Sequence, residues 1–299
     1  MKNTFFTTIL IVTIFSTAVA QETETTPVKK LNINEFYVNT GSIYLTNSTL
    51  SLEDFQLLAP QSELINRDFT GYNPSDFLII TNNRMFSVLL GAQISEKDKS
   101  SYRKNPQMRL GISYFSGNVF KGGYFKAEKS PFDTLRSNQT TDVIYIDSVV
   151  HHNYNMRYSS EQVRLDGSLI FRTNTEARWS AYAGIGITAG VSISASTTAN
   201  YSQRKSKEMR YPDERSYYMD VFNSTSEHQS EVFENKNNFL LSGYIPMGVD
   251  FRVGKKKEFW KMTHLFYEFR PSLQMITISE LQTKVNASSQ FGMGLRVVW

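Results

Sequence analysis

The sequence predicts an all-β fold, an eight-stranded antiparallel transmembrane β-barrel with long extracellular loops and a β-hairpin extension. Three observations predict it. Eight segments alternate apolar and polar residues, the period of a strand with two different faces. Their connections are long on one side and short on the other, as in barrels that cross an outer membrane. The chain starts on an export signal and ends on an alternating strand with a terminal aromatic, Phe291 to Trp299.

Residues 1–20 read as a signal peptide. Lys2 supplies the positive start, Phe5 to Phe15 the apolar stretch, and Ala18-Val19-Ala20 the small-residue cleavage site. The apolar run falls short of the roughly 18 residues a spanning helix needs. Residues 21–30 form a polar lead-in, and 31–299 are assigned to the barrel domain. The absence of cysteine excludes disulfides, thiolate metal sites and a cysteine-linked lipid anchor. A net charge of +4, scattered along the chain, gives no argument for nucleic acid as a partner. A mean hydropathy of −0.36 fits a barrel, whose lumen and loops are polar.

The strands are expected at Asn32–Thr46, Arg84–Ser95, Gln107–Ser116, Gln162–Arg172, Trp179–Ser196, Asn238–Val253, Lys261–Ser279 and Val285–Trp299. In the first, Phe36 and Val38 face out and Glu35 in. The second turns Phe86, Val88, Leu90, Ala92 and Ile94 to lipid, and the third Met108, Leu110, Ile112 and Tyr114. The fourth sets Val163, Leu165, Leu169 and Phe171 against Gln162, Arg164, Asp166 and Arg172. The fifth sets Ile185, Ile187, Val191 and Ile193 against Tyr182, Thr188 and Ser192. Leu241, Ile245, Met247, Val249 and Phe251 share one face of the sixth; Leu265, Tyr267, Phe269, Leu273 and Met275 share one face of the seventh. Phe291, Met293, Leu295, Val297 and Trp299 face out on the last.

The long connections cover roughly 47–83, 117–161 and 197–237. Alternation within 118–157 predicts that the third and fourth strands continue past the membrane as a hairpin. Ser51-Leu-Glu-Asp54 opens a short helix through about Leu58 with a capping-box start, and Pro60 ends it against the barrel mouth. Residues 201–237, charged and polar with Pro212, read as a mobile loop whose Tyr211, Tyr217 and Tyr218 offer a contact surface or pack the loop on itself. Phe259, Trp260 and Trp179 suit an aromatic girdle at the short-turn end, Tyr114 and Phe115 one at the other.

On these residues the chain resembles small Gram-negative outer-membrane barrels of the OmpA/OmpX-like kind. The resemblance implies residence in the bacterial outer membrane, contact with outer-membrane lipid, and recognition of the Phe291–Trp299 strand by the barrel-assembly machinery. Asp133-Thr-Leu135 and Asp147-Ser-Val149 resemble the O-glycosylation triplet of Bacteroidetes exported proteins.

The inward face collects Glu35, Arg109, Arg164, Asp166, Asp250, Arg252, Glu268, Arg270 and Arg296. Eight strands enclose a bore that side chains fill, so these charges must pair. That makes a closed, salt-bridged lumen the first expectation and a surface-interaction or structural role through the loops the corresponding function, with an unidentified surface ligand. A narrow channel for small solutes and an outer-membrane enzyme are the alternatives. Gly184, Gly186 and Gly190 on the same face read as relief of crowding. His264 is expected to face the lumen beside Glu268, His151 and His152 to point to opposite hairpin faces, and His228 to lie in the loop. No nucleotide, zinc or calcium motif is present, so no catalytic residue, cofactor or metal is assigned.

Overall fold

The computed structural model describes residues 32–46, 48–75, 83–93, 106–136, 143–174, 177–210, 216–219, 226–254 and 256–299. The signal peptide and lead-in expected at 1–30, and Ile94 and Tyr211, lie outside the described residues, as do the side chains of Tyr217 and Tyr218.

In chain order the elements are β1 (Asn32–Leu45), α1 (Leu52–Leu58), β2 (Asn73–Pro74), β3 (Asn83–Gln93), β4 (Pro106–Arg136), β5 (Val143–Arg172) and β6 (Trp179–Arg210). Then come β7 (Ser216–Met219), β8 (Ser226–Glu234), β9 (Phe239–Tyr244), β10 (Met247–Arg252), α2 (Glu258–Met262), β11 (Thr263–Thr277) and β12 (Lys284–Val298). All named strand pairings are antiparallel and belong to one sheet. They return on themselves. β12 pairs β1, and the order continues through β3, β4, β5 and β6; β6 meets β9 and β10, both of which pair β11, which pairs β12. β9 and β10 share one place, so eight strand positions close the ring. The ring is not evenly disposed round one axis.

Two boundaries differ from the sequence reading for a clear reason. The sixth segment breaks at Ile245-Pro246 because proline has no N–H to give the ladder; Ile245 and Met247 nonetheless stay exposed on the outer face. The seventh starts at Thr263, since Glu258–Met262 closes a helical turn first.

The hairpin extension is present. β4 and β5 stay paired from Pro106↔Phe171 out to Arg136↔Val143. The mobile loop expected at 201–237 is corrected: β6 runs on to Arg210, and β8 pairs it from Ser196↔Glu234 to Arg204↔Ser226. Thr198, Asn200 and Ser202 on the outer side carry no apolar signal, so hydropathy alone does not reveal this strand.

α1 forms where Ser51 caps it. The Ser51 side chain accepts from the Asp54 N–H, and the Asp54 carboxylate accepts from the Ser51 N–H. Its buried Phe55 and Leu58, with Leu64 and Ile65, pack onto Ile43, Met85, Phe115, Phe120, Tyr158 and Ile276. The segment is also tied by Lys284 Nζ to Asp54 at 3.0 Å and by Asn235 Nδ2 to the Leu58 carbonyl at 2.7 Å.

Inside and outside are opposite in chemistry around the ring. Leu165 is 68 % exposed and Ile185 66 %, while Arg109 on the inner face is 0 % exposed. Beyond the ring the sense reverses. On β5 the inner face changes from Asp166, Arg164 and Gln162 to Tyr158, Met156 and Tyr154, all buried. The outer face changes from Leu165 and Val163 to Glu161, Ser159 and Arg157. The inner faces of β1, β4, β6 and β11 also turn apolar along their length, at Ile43, Phe115, Ala195 and Ile276, which join the same buried cluster.

Candidate functional site

Strand parity sends a charged set to the inner face, and the register lines it up. Arg109 Nη1 lies 2.6 Å from Glu268 Oε2. Glu268 also accepts from Arg270 Nε, and Arg270 Nη1 reaches Asp166 Oδ2 at 2.8 Å. Tyr244 donates its hydroxyl proton to the other Asp166 oxygen. The chain Arg109–Glu268–Arg270–Asp166–Tyr244 therefore crosses the bore from β4 to β11, β5 and β9.

A second group sits toward the short-turn end. Arg172 Nη1 is 3.1 Å from Asp250 Oδ2, and Arg296 Nε is 3.5 Å from the same oxygen. Arg296 Nη1 stands 3.6 Å from Glu35 Oε1. Tyr37 donates to Glu35, which also accepts from Gln107 Nε2 at 3.2 Å. His264 Nδ1 lies 2.5 Å from Asp250 Oδ1. Sequence spacing suggested Glu268 as the carboxylate beside His264; the partner is Asp250, the diagonal neighbour on β10, since Arg252 is the residue directly opposite His264.

Arg164 stands apart. Its Nε donates to Gln162 Oε1 at 2.9 Å and its guanidinium stacks 4.2 Å over the Phe115 ring. Among the described residues no carboxylate lies within ion-pair distance of it. Phe115, expected in an outer girdle, is thus corrected to a buried inner residue. Tyr114 beside it is exposed, as are Trp179, Phe259 and Trp260.

The arrangement brings together Glu35, Arg109, Asp166, Asp250, Glu268, Arg270 and Arg296. It leaves Arg252 half-buried at the rim, where β10 ends. Arg172, fully buried, belongs to the set although sequence reasoning placed it only on the polar face; its parity with Arg164 and Asp166 was the available signal. Tyr37 was missed, since tyrosine suits either face; Tyr182 and Tyr244 fall on the polar faces of their segments, as the alternation places them, but were given no part in the charge network. Glycine makes room for them. A Cβ on Gly186 would lie 2.2 Å from the Tyr244 ring, and one on Gly190 2.6 Å from Arg164 Cγ. Crowding relief explains both.

Such an array can lock a bore. Its guanidiniums are held by carboxylates and rings, with Arg109 5.5 Å over Tyr37, Arg172 4.7 Å over Tyr182 and Arg270 4.9 Å over Tyr244. Among the described residues no group of three or more His, Cys, Asp or Glu side chains could hold a metal ion. Outside the ring, His152 Nδ1 meets the Tyr201 hydroxyl at 2.8 Å and His151 Nε2 meets Ser206 Oγ at 3.3 Å.

The last strand closes the ring. Phe291, Met293, Leu295 and Trp299 are exposed on its outer face and Val297 half-buried. The Trp299 N–H reaches the Asn34 carbonyl at 3.1 Å.

No protein-family model matches the chain, and neither does any curated protein. Among solved structures it is similar to Ail of Yersinia pestis bound to the heparin analogue sucrose octasulfate, at 12% identity over 89% of this chain and 99% of that one, with a TM-score of 0.23. It is also similar to the beta domain of the Bordetella autotransporter BrkA, at 10% identity over 89% and 99% of the two chains, TM-score 0.21. Similarity at this level does not specify the fold, which rests on the pairings above.

Proposed function

We propose that this chain is an eight-stranded outer-membrane β-barrel protein with a closed lumen, acting through its extended strands and loops as a surface-interaction or structural protein rather than as an enzyme. The reversal of inside and outside carries this reading. A sheet in water has no reason to expose Leu165, Ile185 and Met293 while burying Arg109, Arg270 and Arg296. In lipid that polarity is required, and a closed ring leaves no backbone edge unpaired. Above the lipid the ordinary polarity returns, and there the apolar cluster under α1 covers the bore.

The paired charges and the cover support a structural lumen. In planar bilayers the purified protein is expected to give no discrete conductance steps, and deletion of residues 48–72 is expected to leave it silent because the arginine–carboxylate chain still fills the bore. Regular steps that change with Arg270→Gln would replace this reading with a narrow channel.

The membrane claim is tested by gel mobility. Membrane fractions should contain a band that shifts on boiling, and a chain lacking Phe291–Trp299 should lose both the shift and the membrane association, as the proposed role of that strand in barrel assembly requires. A protein extracted by carbonate and indifferent to boiling would be a soluble sheet.

A further inference from the structure

The outer wall carries a shallow apolar groove of ≈ 580 Å³. It crosses six neighbouring strands, from Trp179 on β6 past Phe251, Leu265 and Leu295 to Thr40 on β1 and Phe86 on β3. The register explains its course. Trp179, Phe251 and Leu265 are opposite one another, and so are Met293, Thr40 and Phe86 one row up. Thr40 is the small residue in that row, which leaves the wall hollow between larger neighbours.

The groove opens at the short-turn end beneath a basic rim. Arg178 is exposed, and its guanidinium lies 5.0 Å over the Phe251 ring. Lys256, Lys257 and Lys261 are exposed on and beside α2, with Glu258 the acidic residue among them. Exposed Phe259 and Trp260 stand in the same turn, ring centroids 5.0 Å apart. The Arg252 N–H bonds to the Arg178 carbonyl at 2.8 Å, so the two basic segments are neighbours.

Size and charge fit one occupant. Six strands at about 4.8 Å spacing give a groove roughly 24 Å long. Strand tilt near 45° reduces this to roughly 17 Å of depth, about one leaflet of a 30 Å hydrocarbon core. A positive rim at the headgroup level and an apolar channel leading from it match a phospholipid with an anionic headgroup. We propose that this wall is a binding site for an anionic phospholipid of the leaflet facing the short turns, with an acyl chain in the groove and the headgroup on Arg178, Lys257 and Lys261. The inference rests on the outer-membrane reading above.

The test uses Trp179 as reporter, in full-length protein carrying Trp260→Phe and Trp299→Phe and reconstituted into bilayers. Quenching is compared for phosphatidylglycerol and phosphatidylcholine with brominated acyl chains. Brominated phosphatidylglycerol is expected to quench at a mole fraction roughly fivefold lower or better, since a surface Lys or Arg is worth about fivefold toward an anionic lipid. Arg178→Gln with Lys257→Gln and Lys261→Gln should equalise the two lipids while leaving quenching by phosphatidylcholine intact. Thr40→Phe, which fills the hollow without touching the charges, should weaken quenching by both lipids at Trp179. Equal quenching in the unaltered rim overturns the lipid site and leaves the barrel standing. Weak quenching by both, with a cross-linked dimer, assigns the groove to a second copy and also overturns it. No quenching by either, with the protein outside the vesicles, sinks the membrane reading itself.

Discussion

β5 passes through two interiors. Low on the strand its inner side chains are Arg172, Asp166 and Arg164; higher up they are Tyr158, Met156 and Tyr154, and all six are buried. Burial is equal and chemistry opposite, so burial alone does not choose the residues. The surroundings do. Where the outer face is Leu165 and Val163, the interior holds charges that pair with one another across a closed backbone ladder. Where the outer face is Ser159 and Arg157, cohesion must come from an apolar cluster, and α1 is brought in to complete it. Ile43, Phe115, Ala195 and Ile276, on the inner faces of other strands, belong to that cluster.

The largest effect should come from breaking the lower interior. Glu268→Leu leaves Arg109 and Arg270 facing each other without their shared carboxylate, which lies within 2.6 Å of Arg109. Loss of one partner from a buried ion pair costs about 3–5 kcal/mol. Urea titration of the folded gel band should show the unfolding free energy fall by that amount; an unchanged midpoint would mean that the chain of charges contributes nothing to the wall. Glu268→Gln keeps the shape and one acceptor, its carbonyl oxygen, and should fall between.

The outer face offers the next contrast. Leu165→Arg places a cation where the proposed lipid contact is, at a cost of about 2–4 kcal/mol. Arg157 already occupies the same face of β5 four pairs higher, and Ser159→Arg should cost nearly nothing. Equal losses at 159 and 165 would erase the proposed boundary between them.

Much of this was legible from one chain. Alternation gave most of the outer faces, because the parity of a strand is fixed; Ala92, read as outward, is buried. The inner charges followed by subtraction. Register did not follow, and register decides partners: Asp250 meets His264 because β10 and β11 align 250 with 266 and 252 with 264, which no spacing within one strand reveals. Polar strands were invisible too. β8 and the end of β6 hold by backbone pairing, with Ala199 and Tyr201 as buried apolar contributions on β6. Pro246 could have been read as a break, since its missing N–H was in plain view.

Arg164 separates neighbouring arginines by what they touch. Arg270 holds two carboxylates; Arg164 holds Gln162 and the Phe115 ring. Arg164→Met keeps a ring contact and forfeits one charge-assisted hydrogen bond, worth about 1.5–3 kcal/mol. Its urea midpoint should move far less than that of Arg270→Met. If the two variants fall together, the interior charges act by filling space and not by pairing.

The smallest effect belongs to the upper region and to alkali. Tyr72 packs against Tyr154 at 5.4 Å and Phe69 at 5.4 Å, in the segment that carries the cover back to β3. Burial, with the nearby Tyr154 and Tyr201 hydroxyls, pushes its hydroxyl up from 10.0 to about 12. The undocked segment would ionise near pH 10 and the docked one near 12. Docking is therefore unaffected below pH 10 and weakens as pH rises from 10 toward 12, because the undocked form loses its proton first. Proteolysis of the segment at rising pH should show increased cutting over that interval, with the folded gel band unchanged. Tyr72→Phe, which cannot ionise, should flatten part of the rise. If the folded band is lost over the same interval, the cover and the ring are one cooperative unit, and the distinction between the two interiors is one of chemistry without independence.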